Sequence, residues 1–245
     1  MDSPISRLAV VIPCYNAGYR LEPVVNTALT LVENIILVDD GSTDGFPGKV
    51  YQDQKKTGHN LLQLISFDQN KGKGHALLAG FHAALNITGI DWVAVLDADG
   101  QHDPVELPQL LDSALTNASD LVIGVRSFGE SHVPLRSRLG NRLTATITTM
   151  LLGASLPDTQ SGYRIHSRRF LEHVLRDVAG GRYDTEMEIL VLAVRAGYRI
   201  SNVPIQTIYE TKNRSSHFNA FRDSWLIYRR LIAVSHRLKH TQHNR

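Results

Sequence analysis

The sequence predicts an α/β fold: a mostly parallel β-sheet with helices on its flanks. Short apolar runs alternate with longer segments of helical periodicity through the first half of the chain. The apolar runs have almost no polar residue at alternate positions, which indicates strands that are buried on both faces. Strands that alternate with helices form βαβ units, and such units give parallel sheets.

Five strands and four helices are predicted in the first half of the chain. The strands cover residues 8–13, 34–39, 61–66, 91–97 and 120–125. The helices cover residues 19–31, 44–57, 74–86 and 104–116. The last of these helices has the clearest start, because Asp103 can cap its first turn and Pro104 suits its first position.

The second half of the chain is less regular. Residues 138–152 and 183–196 have the pattern of helices, and residues 198–209 that of one long strand or a broken pair. A further helix is predicted from about residue 220 to residue 239. We therefore divide the chain into a domain of residues 1–219 and a basic, amphipathic helix and tail of residues 220–245.

The composition is that of a globular protein. The 245 residues are 42% apolar and 20% charged, which excludes wholesale disorder. Cys14 is the only cysteine, so no disulfide can form within the chain and a reducing compartment is expected. The longest uncharged apolar stretch, residues 143–156, is shorter than the roughly 20 residues that a membrane-spanning helix needs. We expect a cytoplasmic protein without a signal sequence or membrane span of its own.

The net charge of +2 is unevenly distributed along the chain. Residues 1–100 contain 7 basic and 11 acidic side chains, whereas residues 195–245 contain 10 basic and 2 acidic ones. An acidic first part suits a metal-binding cleft, and a basic tail suits phosphates or an anionic membrane surface, unless the tail is simply a solvated chain end. Nucleic acid is not an expected partner, since the basic residues belong to no recognised binding motif.

Acidic side chains follow two of the predicted strands. Asp39 and Asp40 end the second strand, and Asp97-Ala98-Asp99 ends the fourth, with Gln101 shortly after. Ligands of parallel sheets bind at the carboxyl ends of the strands, where these groups meet. Several carboxylates at one edge need a cation, and Mg²⁺ or Mn²⁺ is usually held by a few carboxylates together with substrate phosphates.

A basic, glycine-containing loop precedes the third predicted helix. Its sequence is Asn70-Lys71-Gly72-Lys73-Gly74. It lacks the upstream glycine of a P-loop, and no Gly-x-Gly-x-x-Gly follows the first strand. The loop therefore predicts an anion site at a helix N-terminus, or else a solvated pair of lysines.

Taken in order, these segments resemble the family 2 glycosyltransferases with the GT-A fold. Within that family they are most similar to the polyprenol-phosphate mannose and glucose synthases. The segments that carry the resemblance are Pro13-x-Tyr15-Asn16, Asp39-Asp40-Gly41-Ser42, Asn70-x-Gly72-Lys73-Gly74, Asp97-Ala98-Asp99-x-Gln101-His102, Gly124-x-Arg126, Ser137-Arg138, Ser161-Gly162-Tyr163-Arg164, Glu188 and Gly197-Tyr198-Arg199-Ile200. The resemblance implies a GT-A-type, mostly parallel sheet flanked by helices.

The resemblance also implies a site for a nucleotide diphosphate sugar. Asp99 and Gln101 would ligate Mg²⁺ or Mn²⁺. The residues that would hold the donor are Pro13, Tyr15, Val38, Asp40, Lys73, Asp97 and Ala98. Arg214 and His217 stand near the position of family residues that close over the donor, with altered spacing. The donor nucleotide, GDP or UDP, stays open on these residues.

The catalytic residues implied by the resemblance are Asp99, Arg126, Arg138 and Glu188. The two arginines would meet phosphate, including that of a lipid-phosphate acceptor, because a guanidinium grips phosphate with two parallel hydrogen bonds. An anionic phosphate acceptor needs no strong base, whereas a sugar hydroxyl needs a carboxylate. Candidates for that base are Glu186, Glu188 and Asp103.

The function expected from this pattern is inverting, metal-dependent transfer of a hexose from a GDP- or UDP-linked donor to a polyprenol phosphate. One alternative is transfer to a sugar hydroxyl of a polysaccharide or glycolipid, and another is a non-catalytic subunit that binds nucleotide sugars. The basic, amphipathic pattern of residues 220–239 is typical of helices that lie on a membrane surface, and equally of helices packed on a domain. Because a polyprenol acceptor would lie in the bilayer, we expect peripheral contact with the cytoplasmic face of a membrane.

Overall fold

A computed structural model describes residues 3–58, 61–126, 158, 161–181 and 185–206. Its described strands form one sheet of seven. They are β1 (Leu8–Cys14), β2 (Asn34–Asp39), β3 (Leu62–Ser66), β4 (Trp92–Val95), β5 (Leu121–Arg126), β6 (Arg164–Ser167) and β7 (Ile200–Ile205). Their order across the sheet is β3-β2-β1-β4-β6-β5-β7. The strand β6 is antiparallel to both of its neighbours, and the other pairs are parallel.

The described helices connect these strands. They are α1 (Leu21–Leu29), α2 (Phe46–Lys56), α3 (Lys73–Leu85), α4 (Leu107–Thr116), α5 (Arg168–Asp177) and α6 (Thr185–Arg195), with 3₁₀ turns at Pro4–Arg7, Gly18–Arg20 and Pro104–Glu106. The five strands and four helices predicted for the first half of the chain are confirmed within a few residues. The predicted α/β class with a mostly parallel sheet is confirmed as well.

The sheet is covered by helices on both faces. Along β1 the side chains alternate between two apolar layers, because successive residues of a strand point to opposite faces. Ala9 and Val11 pack with α3, α5 and α6, whereas Val10 and Ile12 pack with α1, α2 and α4. A Cβ at Gly80 of α3 would lie 2.3 Å from a methyl carbon of Val11, so this glycine brings α3 close to the sheet.

Three elements of the second half, β6, α5 and β7, differ from the sequence-based expectation. Neither β6 nor α5 was expected, since β6 contains Arg164 and His166 and has no apolar alternation. Ser167 ends β6 and caps α5, its hydroxyl accepting a hydrogen bond from the Phe170 N–H at 3.3 Å. Residues 198–209 are expected to form one long strand or a broken pair; of the described residues 198–206, β7 covers Ile200–Ile205, and residues 207–209 lie outside the described part. Pro204 is tolerated there because β7 is an edge strand of the described sheet.

Three other expectations have different outcomes. The helix predicted for residues 183–196 is confirmed as α6. The helices predicted for residues 138–152 and 220–239 lie outside the described residues. Over the described ranges, no helix combines the length and the hydrophobicity that crossing a membrane requires.

Candidate functional site

The loops after β1 and β2 are tied together at the carboxyl edge of the sheet. The Asn16 N–H donates to the Ser42 hydroxyl at 3.0 Å, and the Asn16 side-chain oxygen accepts the Thr43 N–H at 2.8 Å. The Gly18 N–H donates to a carboxylate oxygen of Asp44 at 2.9 Å. Asn16 has a φ of 49°, a left-handed conformation that asparagine tolerates better than most residues. These bonds give the edge of the sheet a rigid rim, formed by residues 14–18 and 41–44.

Three of the residues expected to bind the sugar donor lie in this rim or directly beside it. Pro13 and Val38 are register partners on neighbouring strands, and both are buried. The Tyr15 side chain is 51% exposed, although it is large and partly apolar. An exposed aromatic ring beside buried backbone is suited to stacking on a flat ligand, as the expected contact with a nucleotide base requires.

Asp40 organises the loop that leads into α3. It is buried, and its carboxylate accepts the Lys71 N–H at 2.7 Å and the Gly72 N–H at 2.9 Å. The loop passes so close to β2 that a Cβ at Gly41 would lie 2.5 Å from the backbone carbon of Gln69. The contact between Asp40 and the sugar donor stays a prediction, and in the structure the carboxylate oxygens of Asp40 hold the backbone of this basic loop.

Lys73, the first residue of α3, joins two carboxylates. Its ammonium donates to Oδ1 of Asp97 at 2.6 Å and to Oε1 of Glu186 at 3.2 Å. Glu186 lies on the first turn of α6, so the cluster connects α3, the turn after β4, and α6. Burial alone would lower the pKa of Lys73, but the two carboxylates outweigh burial and raise it above its ordinary value. Lys73 therefore carries a permanent positive charge beside the Asp-x-Asp turn.

The second carboxylate oxygen of Asp97, Oδ2, faces Gly162 and His102. A Cβ at Gly162 would lie 2.3 Å from Oδ2, so this position leaves room for the carboxylate only as glycine. Nδ1 of His102 lies 3.9 Å from the same oxygen. Burial would raise the pKa of Asp97, but Lys73, then His102 and Arg126, outweigh it and keep the pKa below its usual range. Asp97 is therefore ionised near neutral pH.

His102 is buried without a hydrogen bond in the described part of the chain. Its side chain is 4% exposed, and neither ring nitrogen has a partner. The ring stacks on Tyr163, with centroids 5.4 Å apart and planes inclined by 27°. Burial lowers the pKa of His102 despite the nearby Asp97 and Asp99. Buried polar atoms without a partner cost about 1–3 kcal/mol, so the environment of this ring is unusual.

Asp99 is more exposed than Asp97 and closes the turn. Its Oδ1 accepts the Gln101 N–H at 3.0 Å. Partial removal from water raises the pKa of Asp99, and the negative charge of Asp97 adds to this effect. Ala98 between them is buried. A cation beside Asp99 would relieve the repulsion between the two carboxylates.

The oxygen ligands of this turn fit a hard divalent cation whose coordination is completed by a bound substrate. Among the residues that the structure describes, no three His, Cys, Asp or Glu side chains converge closely enough to hold a metal by themselves. Mg²⁺ and Mn²⁺ sites with one or two carboxylates are completed by substrate phosphates and water. The carboxylate of Asp99 and the amide of Gln101 match this kind of site, and the repulsion between Asp97 and Asp99 favours it.

Arg126 has a buried partner that the sequence did not indicate. Its Nε lies 2.7 Å from Oδ2 of Asp158, and its Nη2 lies 3.0 Å from Oδ1. The Asp158 side chain is 1% exposed. The charge of Arg126 contributes to the low pKa of Asp97, which places it near the Asp-x-Asp turn. Asp158 precedes the Ser161-Gly162-Tyr163-Arg164 motif by three residues, a lone carboxylate without a local signature.

Arg164 anchors that motif to α6. Its side chain is fully buried, with Nε donating to the Ser161 carbonyl at 2.8 Å and Nη1 donating to the Glu186 carbonyl at 2.9 Å. Arg164 thus holds the backbone that carries Gly162 and Glu186. Glu188 lies partly buried on the same turn of α6.

The remaining expected residues have separate outcomes. Asp103 caps a 3₁₀ turn, its carboxylate accepting the Val105 N–H at 3.0 Å. Arg138, Arg214 and His217 lie outside the described residues. The site therefore brings together Lys73, Asp97 and Glu186 directly, and the last of these was expected only as a candidate base.

Comparison with known proteins connects this geometry to a family. Residues 9–175 match the family described as glycosyl transferase family 2. The UDP-N-acetylglucosamine–dolichyl-phosphate N-acetylglucosaminyltransferase of Methanococcus voltae is 30% identical over 238 residues, which are 91% of this chain and 94% of that protein. The polyprenol monophosphomannose synthase of Mycolicibacterium smegmatis is 32% identical over 208 residues, covering 82% of this chain and 77% of that protein.

A solved structure agrees with the fold. It is the glucosyl-3-phosphoglycerate synthase of Mycobacterium tuberculosis in complex with Mn²⁺, UDP and glucosyl-3-phosphoglycerate. The TM-score is 0.68 at 21% identity, over 93% of this chain and 79% of that one. At this identity the likeness shows the fold, and it confirms the GT-A-type architecture that the sequence predicts.

Proposed function

Because the chain belongs to glycosyl transferase family 2, we propose that it transfers a hexose, with inversion, from a nucleotide diphosphate sugar to a polyprenol phosphate. The observation that carries the proposal is the Asp-x-Asp turn at the carboxyl end of β4, with Lys73 against Asp97 at 2.6 Å. Carboxylates suit a divalent cation, and a permanently charged ammonium beside them suits a diphosphate, so the turn matches a ligand that combines the two. The names of the two relatives reported above, a dolichyl-phosphate and a polyprenol enzyme, support the acceptor class.

The donor would lie across the rim and the Asp-x-Asp turn. Tyr15 would stack on the base, and Pro13 and Val38 would line the slot beside it. Lys73, at the N-terminus of α3, would face the diphosphate together with the backbone N–H groups of that helix end. Mg²⁺ or Mn²⁺, when held by Asp99 and Gln101, would neutralise the departing diphosphate.

The acceptor phosphate would be positioned by arginine. Arg126 is held in one orientation by Asp158, and a guanidinium fixed in this way can direct its charge at a phosphate oxygen. Arg138 is proposed for the same role on the basis of the sequence. A phosphate acceptor is already anionic near pH 7, so this chemistry needs no strong general base.

A sugar hydroxyl is the second candidate acceptor, and one observation favours it. The carboxylate of Glu186 lies 3.2 Å from Lys73, within the same cluster as Asp97. A hydroxyl acceptor would need such a carboxylate as a base. Glu186 and Glu188 on the first turn of α6 are the candidates, and the capping contact of Asp103 makes it a weaker one.

We further propose that the enzyme works at the cytoplasmic face of a membrane. A polyprenol acceptor is dissolved in the bilayer, and the sequence of residues 220–245 has the basic, amphipathic pattern of an interfacial segment. Flotation with liposomes that contain anionic lipid should be lost in a chain truncated after Asn219. Equal flotation of the full-length and truncated chains would contradict the membrane role of the tail.

The transfer proposal is tested with a matrix of donors and acceptors. Purified protein is incubated with UDP- and GDP-linked hexoses and with Mg²⁺, Mn²⁺ or excess EDTA. Each mixture contains a polyprenol phosphate or an oligosaccharide. We expect metal-dependent glycosyl polyprenol phosphate from one class of donor. Transfer to the oligosaccharide alone would establish the second candidate, and metal-dependent donor binding without transfer to either acceptor would indicate a non-catalytic binding subunit.

A further inference from the structure

The two oxygens of Asp97 face two different side chains, and only one of these is hydrogen-bonded to it. Oδ1 accepts a hydrogen bond from Lys73 at 2.6 Å, whereas Oδ2 lies 3.9 Å from Nδ1 of His102. We propose that His102 is a positioning residue that becomes the hydrogen-bond donor to Asp97 when Lys73 turns to the diphosphate of a bound nucleotide sugar. This inference rests on the proposed binding of a metal and a nucleotide diphosphate sugar.

The unpaired state of His102 is the first argument. Buried polar atoms almost always have a hydrogen-bond partner. In the described part of the chain, four buried side-chain nitrogen and oxygen atoms have none, and two of them are the ring nitrogens of His102. An imidazole carries at least one N–H in every protonation state that proteins use. With its proton on Nδ1, the ring can therefore donate to the neighbouring carboxylate of Asp97, to which it is not yet bonded.

The distances allow the bond to form by a small movement. The separation of 3.9 Å exceeds an N–H···O hydrogen bond by about 1 Å. Rotation of the Asp97 carboxylate can shorten it, because Gly162 presents no side chain to Oδ2. Lys73 opposes this rotation for as long as it holds Oδ1.

The ring itself is held in place by packing. It stacks on Tyr163, and the Tyr163 hydroxyl donates to the Asp103 carbonyl at 3.1 Å. The imidazole therefore keeps its position when Asp97 moves. An immobile donor on one side and a long, flexible lysine on the other can share Asp97 in turn.

The exchange has a consequence for donor binding. When Lys73 leaves Asp97 for a diphosphate, the largely buried Asp97 carboxylate must gain another hydrogen-bond donor or remain unpaired. His102 supplies that donor. Asp97 stands two residues before the proposed metal ligand Asp99, and replacing a residue that orients the surroundings of a metal ligand typically changes metal affinity by about 10–100-fold.

The test uses two variants that separate the ring from its nitrogens. His102→Phe keeps an aromatic ring for stacking on Tyr163 and removes both nitrogens. His102→Asn places an amide nitrogen near the position of Nδ1. Calorimetry measures the affinity for Mn²⁺ with UDP and with GDP, and thermal unfolding of the metal-free proteins reports stability.

We expect His102→Phe to bind metal and nucleotide at least about 10-fold more weakly than the parent, with an unchanged or higher Tm. His102→Asn should recover affinity to within about threefold of the parent. Equal affinity of the parent and the Phe variant would overturn the proposal. So would equal weakness of both variants, or a fall in Tm that accounts for the lost affinity.

A second measurement does not depend on nucleotide. In Lys73→Met the ammonium is absent, so Asp97 should turn to His102 without any ligand. NMR of ¹⁵N-labelled histidine should then show a new hydrogen-bonded Nδ1–H signal that is absent from Lys73→Met combined with His102→Asn. An unchanged spectrum would overturn the exchange between partners. Failure of the parent protein to bind either nucleotide would instead reject the proposed function, so the two failures are distinguishable.

Discussion

Arg126 and Asp158 form a bidentate ion pair, with N–O distances of 2.7 and 3.0 Å. The carboxylate is almost fully buried, while the Arg126 side chain remains 18% exposed. The arginine can therefore meet an anion only in the orientation that Asp158 imposes. The pair also adds a positive charge to the surroundings of Asp97.

Asp158→Ala should destabilise the fold by about 2–4 kcal/mol. Removing one partner of a buried ion pair typically costs about 3–5 kcal/mol, and the partial exposure of Arg126 reduces this cost. Urea unfolding measures the change. Glu172→Ala is the control, because its contact with Arg168 is 4.0 Å long and the glutamate side chain is 57% exposed. That variant should change stability by less than about 1 kcal/mol, and equal losses in the two variants would contradict the importance of the buried pair.

Arg126→Ala should impair acceptor use more than donor binding. Loss of one partner of a charged phosphate contact typically costs about 2–5 kcal/mol, which corresponds to at least a 30-fold rise in KM for the acceptor. Donor affinity by calorimetry should change by less than about threefold. The decisive comparison is this affinity beside transfer rates at varied polyprenol phosphate. A collapse of donor affinity with unchanged acceptor dependence would assign Arg126 to the donor instead.

Gly162→Ala should disrupt the site through Asp97. The added Cβ would lie 2.3 Å from Oδ2, so the carboxylate must move. We expect the affinity for Mn²⁺ with nucleotide to fall at least about 10-fold, on the scale of changes to the groups that surround and orient metal ligands. Gly48→Ala in α2 is the matched control, because a Cβ there meets nothing within 4 Å. The control should bind normally, and normal binding by Gly162→Ala would show that Asp97 tolerates displacement.

The sequence predicts the first half of this fold well, and physical reasons explain where it does not predict the rest. Strands β1, β2, β4 and β5 are buried on both faces or nearly so, and their apolar runs identify them locally. In contrast, β6 buries Arg164 and His166, whose hydrogen-bond partners include the distant carbonyls of Glu186 and Val93. A strand of this kind has no period-2 pattern that a sequence-based analysis could detect.

The site shows the same division. Asp97-Ala98-Asp99 was predictable because its position after a strand is a local property of the sequence. The partners of these residues were not predictable, because they depend on tertiary contacts. Asp158 lies 32 residues from Arg126, and Glu186 lies 113 residues from Lys73. The resemblance to a family names these residues as a set, whereas their hydrogen bonds follow from the fold alone.

Asp99→Ala should abolish metal-dependent transfer while the protein stays folded. The side chain of Asp99 is more exposed than that of Asp97, and within the described part of the chain its carboxylate supports the local turn through the Gln101 N–H. We expect the rate to fall at least about 100-fold, the scale seen when a group that stabilises developing charge is removed. Asp112→Ala removes an exposed carboxylate of α4 and should behave as the parent does. Full activity of Asp99→Ala, or of the parent in excess EDTA, would contradict the metal mechanism.

His166 should make the fold sensitive to acid. It is fully buried between Phe81 and Phe170, and burial, followed by the charge of Arg164, lowers its pKa to about 3. In the unfolded chain a histidine has a pKa of about 6.5, so between these values the unfolded state binds a proton that the folded state does not. Stability therefore falls as the pH is lowered through this window, with a slope of up to about 1.4 kcal/mol per pH unit.

His166→Phe should remove this contribution to the acid sensitivity. A phenylalanine can keep the ring contacts with Phe81 and Phe170, and among the described residues it loses a 3.4 Å contact from Nδ1 to the Val93 carbonyl. Urea unfolding of the parent and the variant from pH 7.5 to pH 5 measures the difference. We expect the parent to lose about 2 kcal/mol more than the variant over this range, because the other titrating groups are common to both proteins. Parallel stability curves would mean that His166 accepts a proton inside the folded core.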